Sequence, residues 1–247
     1  MPSRKRVVRK KRATPLADGA VRTDVRDVVE WLRRNGKKAT RDGMARYAIP
    51  SNRAFGVTVG AMRAYAKKLG RDHELALALW ADGHYEARML ACFVDDPALV
   101  TTAQMDRWCR DFDNWAICDT ACFQLFDRTP HAWKKVAAWA PRREEFVRRG
   151  AFALLASIAL HDKQAEDAPF LRGLRLVERG APDERNFVKK AVSWALRSIG
   201  RRNLALNAAS VKVAERLAAS SKPAARWVGK DALRELTSSA VKKRFAK

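Results

Sequence analysis

Asp119 follows Trp115 by four residues in Asn114-Trp115-Ala116-Ile117-Cys118-Asp119, so on a helix the acid and the indole share one face. Two further residues interrupt apolar helical text in the same way: Arg149 in Phe146-Val147-Arg148-Arg149-Gly150-Ala151-Phe152 and Trp194 in Phe187-Val188-Lys189-Lys190-Ala191-Val192-Ser193-Trp194. An acid on an apolar face is expensive to bury without a cationic partner. That partner is either a side chain, Arg149 being the candidate, or a ligand. A carboxylate held in place favours a reaction that develops positive charge beside it. Cleavage of an N-glycosidic bond is such a reaction, because it passes through an oxocarbenium-like sugar. Indoles next to the acid offer flat apolar surface to a sugar or base.

The elements that must hold these residues are helices. From Thr23 onward the text is helical almost throughout, and no stretch alternates at period two. Thr23 can cap a first helix ending near Asn35-Gly36, and a second fits 58–69 with Gly70 as its stop. Further helices fit 72–81, 84–94, 102–111, 114–126, 131–139, 143–160, 168–179, 184–199, 202–219 and 225–245, with short breaks such as Asp95-Asp96-Pro97 and Gly180-Ala181-Pro182. Phe146-Val147-Arg148-Arg149 returns as Phe187-Val188-Lys189-Lys190, and Tyr85-Glu86-Ala87-Arg88 is a looser copy. Helix pairs recurring every ~40–47 residues mark HEAT or armadillo stacks, which curve around a concave surface. The expected fold is all-α: a right-handed superhelical solenoid of HEAT-like helix pairs with a concave basic groove. Residues 1–20 read as a disordered basic tail and 21–247 as a single repeat domain.

Lys and Arg number 50 against 27 Asp and Glu, a formal charge of +23 over 247 residues. Only seven of those cations crowd into residues 1–12, so the folded part is basic too. A polyanion is the simplest partner, and nucleic acid fits better than an anionic membrane, for which no segment is both strongly amphipathic and rich in exposed Trp or Leu. No apolar run approaches the roughly 20 residues of a membrane span, and the charged N-terminus lacks the apolar core of a secretory signal. The chain is expected in the cytoplasm, as a monomer, without a cofactor. Cys92, Cys109, Cys118 and Cys122 read as reduced core thiols, and His73, His84, His131 and His161 show no ligand spacing, so no metal is expected. Trp31, Trp80, Trp108, Trp133 and Trp139 sit at core spacings, whereas Trp194 is flanked on its face by Lys190 and Arg197.

Taken together, the segments Phe55-Gly56-Val57-Thr58, Ala78-Leu79-Trp80, Trp115-x-x-x-Asp119, Phe146-Val147-Arg148-Arg149 and Lys190-Ala191-Val192-Ser193-Trp194-Ala195-Leu196-Arg197 resemble the AlkD-type alkylpurine DNA glycosylases. The resemblance extends from about Met44-Ala45-Arg46-Tyr47 to about Lys230-Asp231-Ala232-Leu233. It implies a HEAT-like solenoid that excises N3- and N7-alkylated purines from duplex DNA without flipping the base into a pocket. By position it implies that Asp119 is the catalytic acid that steadies the sugar cation and positions water. Trp115 and Trp194 would pack on the deoxyribose, and Arg149 would lie at the backbone beside the lesion. Tyr47, Thr58, Arg148, Lys189, Lys190, Arg197 and Lys230 are the expected DNA-contacting residues. An alkylated purine is already a cationic leaving group, so no general acid is required, and the site contains no lysine nucleophile for a Schiff base.

Two positions depart from the pattern. The family often reads Trp-Asp-x-x-Asp, whereas the second position here is Ala116, with an acid at Asp113 on the other side of Trp115. Position 58 is Thr where a longer polar side chain is expected. Two other readings stand beside the glycosylase: a non-catalytic HEAT scaffold for DNA or RNA, in which Asp119 only orients Arg149, and a protein-interaction solenoid with an acidic partner.

Overall fold

A computed structural model describes residues 24–245. The basic tail expected over 1–20 lies outside the described residues. Fourteen α-helices and two 3-10 turns make up the described chain, with no strand. In order they are α1 (Val25–Asn35), α2 (Lys38–Asp42), α3 (Val59–Leu69), α4 (His73–Asp82), α5 (Tyr85–Val94), α6 (Thr102–Arg110), α7 (Trp115–Gln124), α8 (Ala132–Trp139), α9 (Glu145–His161), α10 (Asp167–Gly180), α11 (Asn186–Gly200), α12 (Leu204–Ala218), α13 (Pro223–Leu236) and α14 (Ser239–Phe245). The 3-10 turns are Gly43–Tyr47, after α2, and Phe126–Arg128, after α7.

Side chains at the helix starts explain six of the fourteen beginnings. Asp24, Thr58, Asp72, Thr101, Asn114 and Asn203 each accept a backbone N–H of the first turn. The first cap is therefore Asp24 and not Thr23. The stretch expected as one helix over 225–245 is two, broken at 237–238, and α2 with the turn after it was not foreseen. These short elements carry little periodicity.

The helices stack as pairs in two rows. In the front row α5, α7, α9, α11 and α13 each pack on the next; behind them α8, α10 and α12 back α9, α11 and α13. One apolar core runs through the stack from Val28 to Leu236. It contains the stacked indoles of Trp80 and Trp108, 4.0 Å apart between centroids. Trp80, Trp108 and Trp139 are buried as their spacing indicated, while Trp31 and Trp133 pack against the core half-buried. The four cysteines are free and buried. Rows pack closely where a side chain is missing: a Cβ on Gly229 of α13 would lie 2.2 Å from the backbone nitrogen of Ala218 at the end of α12. No helix among the described residues is long and apolar enough to cross a membrane.

Candidate active site

The front row brings Trp115, Asp119 and Trp194 together on one cleft of about 380 Å³, with Tyr47, Tyr85 and Phe123 among its other walls. Trp115 opens α7 because Asn114, itself buried, accepts the N–H of Ile117 at 3.0 Å and starts the helix there. Asp113 takes a 2.7 Å hydrogen bond from the Asn114 amide. The acid on the far side of Trp115 thus supports the residue that caps the helix. One turn on, Asp119 sits on the same face, as the spacing of four demands.

The Trp115 indole N–H donates to the backbone carbonyl of Tyr47 at 2.7 Å. That carbonyl ends the 3-10 turn Gly43–Tyr47, and the next residue, Ala48, sits in the left-handed region at φ 53°. The turn is anchored further by a small apolar cluster of Met44, Ile49, Ala54 and Ala116. Ala116 therefore has a structural reason to be apolar: an acid at this position would enter that cluster. Thr58 uses its hydroxyl to cap α3, accepting from Ala61 at 3.3 Å.

Asp119 is gripped from behind. Arg149 donates to its two carboxylate oxygens, Nε to Oδ1 at 2.9 Å and Nη2 to Oδ2 at 2.7 Å, and its Nη1 donates to the carbonyl of Phe187 at 2.6 Å. Such a two-point grip fixes the plane of the carboxylate as well as its position. The Arg149 side chain is 8% exposed and that of Asp119 21%, so the acid faces the cleft and the arginine stays behind it. Burial pushes the Asp119 carboxyl above the usual carboxylate range, and the adjacent guanidinium pulls the other way. The Arg149 guanidinium thus lies between the Asp119 carboxylate on α7 and the Phe187 carbonyl on α11.

Trp194, half-buried on α11, stands 6.4 Å from Phe123 between ring centroids, roughly parallel to it. The cations around it are less free than their spacing suggested. Arg197 is turned onto α13, where Nη1 meets Glu235 at 2.6 Å and Nε lies 3.6 Å from Asp231. Arg148 pairs with Asp183 at 3.2 Å. The recurring cation pairs thus do not all line an open surface, because carboxylates on α7, on α13 and in the loop before α11 engage Arg149, Arg197 and Arg148. Lys190 and Lys230 are exposed, Lys189 lies 5.1 Å over the ring of Trp227, and Tyr47 is 63% exposed at the mouth of the cleft. Val59, Arg63, Met89, Thr120, Phe123 and Gln124 also line the cleft and were not anticipated. Phe123 lies at the same i+4 spacing from Asp119 as Asp119 from Trp115, which was the signal available for it.

A family model described as DNA alkylation repair enzyme matches residues 28–236. The chain belongs to this family. Its fold is similar to that of a solved structure described as "A new family of proteins related to the HEAT-like repeat DNA glycosylases with affinity for branched DNA structures". The TM-score is 0.73 at 21% identity, covering 87% of this chain and 96% of that one. Among curated proteins, none matches the chain. For this member of the alkylation repair family, the two rows of helices are thus a solenoid of HEAT-like pairs. The match spans α1 to α13 and takes in all four residues around which the site is built.

Proposed function

We propose that the protein is a monofunctional DNA glycosylase that hydrolyses the N-glycosidic bond of cationic N3- and N7-alkylated purines in duplex DNA. The observation that carries this reading is the Asp119 carboxylate facing an aromatic cleft while Arg149 fixes it from the buried side. As the bond to an alkylated purine lengthens, its electrons go to the base, which leaves neutral, and positive charge moves onto the sugar. An acid already oriented stabilises that sugar without reorganising during the reaction. Trp115 and Trp194 pack on the deoxyribose, and Asp119 orients the water that completes hydrolysis. The base is not swung into a pocket. Tyr47, Lys189, Lys190 and Lys230 hold the flanking backbone, and the enzyme acts without cofactor or metal.

A non-catalytic DNA-binding scaffold is the second reading. It is favoured by the solved structure's description as a related family with affinity for branched DNA, and by the neutralising grip of Arg149 on Asp119. Release of free base from methylated duplex DNA, beside a duplex containing uracil as a neutral leaving group, tests the two. The glycosylase frees methylated purines and spares uracil. A scaffold frees neither while binding a three-way junction.

A further inference from the structure

Beside the aromatic cleft lies a second hollow of about 390 Å³, which shares Arg63 and Gln124 with it. Arg63, Lys67, Arg71 and Arg128 line it, and no carboxylate does. Among the described residues none of the four cations is in an ion pair with an acid.

The position of this charge is unusual in physical terms. The hollow is built where α3, α5 and α7 end: Lys67 and Gly70 close α3, Phe93 closes α5 and Gln124 closes α7. Helix C-termini present carbonyl oxygens and partial negative charge, and so repel anions. At the ends of α5 and α7 arginines cover them. Arg71 Nη1 donates to the carbonyl of Phe93 at 3.1 Å and also to that of Asp95, and Arg128 Nη1 donates to the carbonyl of Gln124. Each guanidinium keeps further N–H donors for a ligand. Arg63 lies 5.7 Å from the centroid of the Phe93 ring, which leaves its N–H edges available.

We propose that this hollow is a phosphodiester-binding site, which seats the backbone of the DNA strand on the α3 side of the aromatic cleft. The site then has two compartments, an apolar one for sugar and base and a cationic one for phosphate, with Gln124 on the wall between them. This rests on the reading of the protein as a DNA-binding repair enzyme but not on base release.

The test is binding of the full chain to an unmodified linear duplex across a salt series. The wild type is compared with Arg63→Gln/Lys67→Gln and with Arg172→Gln/Arg175→Gln, an equal loss of exposed charge on α10 in the back row. Thermal melting confirms that each variant folds. The expected result is a weaker complex for the hollow variant, its log–log salt slope shallower by about 1.8 for two lost phosphate contacts, with the control pair close to wild type. Equal losses for both pairs would overturn the proposal, since the effect would then be general surface charge. So would a hollow variant that binds as the wild type does. Inorganic phosphate supplies the remaining arm: wild-type stabilisation at millimolar phosphate that the hollow variant lacks, with DNA binding unchanged, would assign the hollow to a small anion and contradict a DNA site. Base release from methylated DNA is scored separately, so failure of the glycosylase reading leaves this result standing.

Discussion

The indole N–H of Trp115 and the backbone carbonyl of Tyr47 meet at 2.7 Å, although 68 residues separate them in the chain. This bond joins the start of α7, which carries Asp119, to a turn whose exit residue, Ala48, has a left-handed backbone. Trp115 is thus both a wall of the cleft and the strut that sets its mouth. Trp115→Phe keeps a ring but removes the donor. Losing one such bond costs about 1 kcal/mol of stability, a fall of roughly 2–4 °C in melting temperature, and base release should slow as the mouth of the cleft loosens. Single-turnover kinetics beside thermal melting will check this; a fall in melting with unchanged kinetics would make the bond structural only.

Arg149 is predicted to act through Asp119 and not through DNA. Arg149→Met leaves a buried carboxylate without its partner and should destabilise the fold by roughly 3–5 kcal/mol. In Asp119→Asn/Arg149→Met much of that stability should return, because no lone buried charge remains. Denaturant unfolding of the two single variants and the double will show this. Additive losses would mean that the pair is not coupled.

The pH dependence follows from the same pair. Burial raises the Asp119 carboxyl, so a given acidity protonates it more readily than an exposed aspartate. Since the ionised form is the one that stabilises a sugar cation, activity should fall on the acid side at a pH above the usual carboxylate range. Weakening the guanidinium grip with Arg149→Lys should move that limb to still higher pH. Rates measured from pH 4 to 8 would contradict this if the limb sat at the ordinary aspartate position or moved down.

Glu86 is completely buried, and its carboxylate accepts the backbone N–H groups of Phe55, Gly56 and Val57 at 2.9, 2.7 and 3.2 Å. It ties the loop before α3 to α5. Glu86→Ala strands three donors and should destabilise the protein by several kcal/mol, at about 1–3 kcal/mol for each unsatisfied group. Calorimetry or urea unfolding will measure it; a loss below about 1 kcal/mol would mean that water replaces the carboxylate.

The reach of the sequence can be judged from these residues. The helices and the Trp115–Asp119 face were legible because periodicity and i+4 spacing are local. The pairing of Asp119 with Arg149 was readable as an alternative, since a lone acid in apolar text needs a cation. What was not legible depends on distant packing. Nothing near Arg197 indicated Glu235, nothing near Arg148 indicated Asp183, and the hold of Glu86 on residues 55–57 requires α3 and α5 to be already placed. The turn Gly43–Tyr47 escaped notice because its stability comes from Ile49, Ala54 and Ala116 and not from its own propensity.

Asp119 remains the centre of the account. Wild type and Asp119→Ala should be compared for release of free 7-methylguanine and 3-methyladenine from methylated duplex DNA, with duplex affinity measured alongside. The wild type should release both bases and the variant should be slower by about 100-fold or more, while binding stays equal or tightens because an acid that repels phosphate is gone. Equal release by both proteins, or none by either with binding intact, would contradict a catalytic role for this carboxylate.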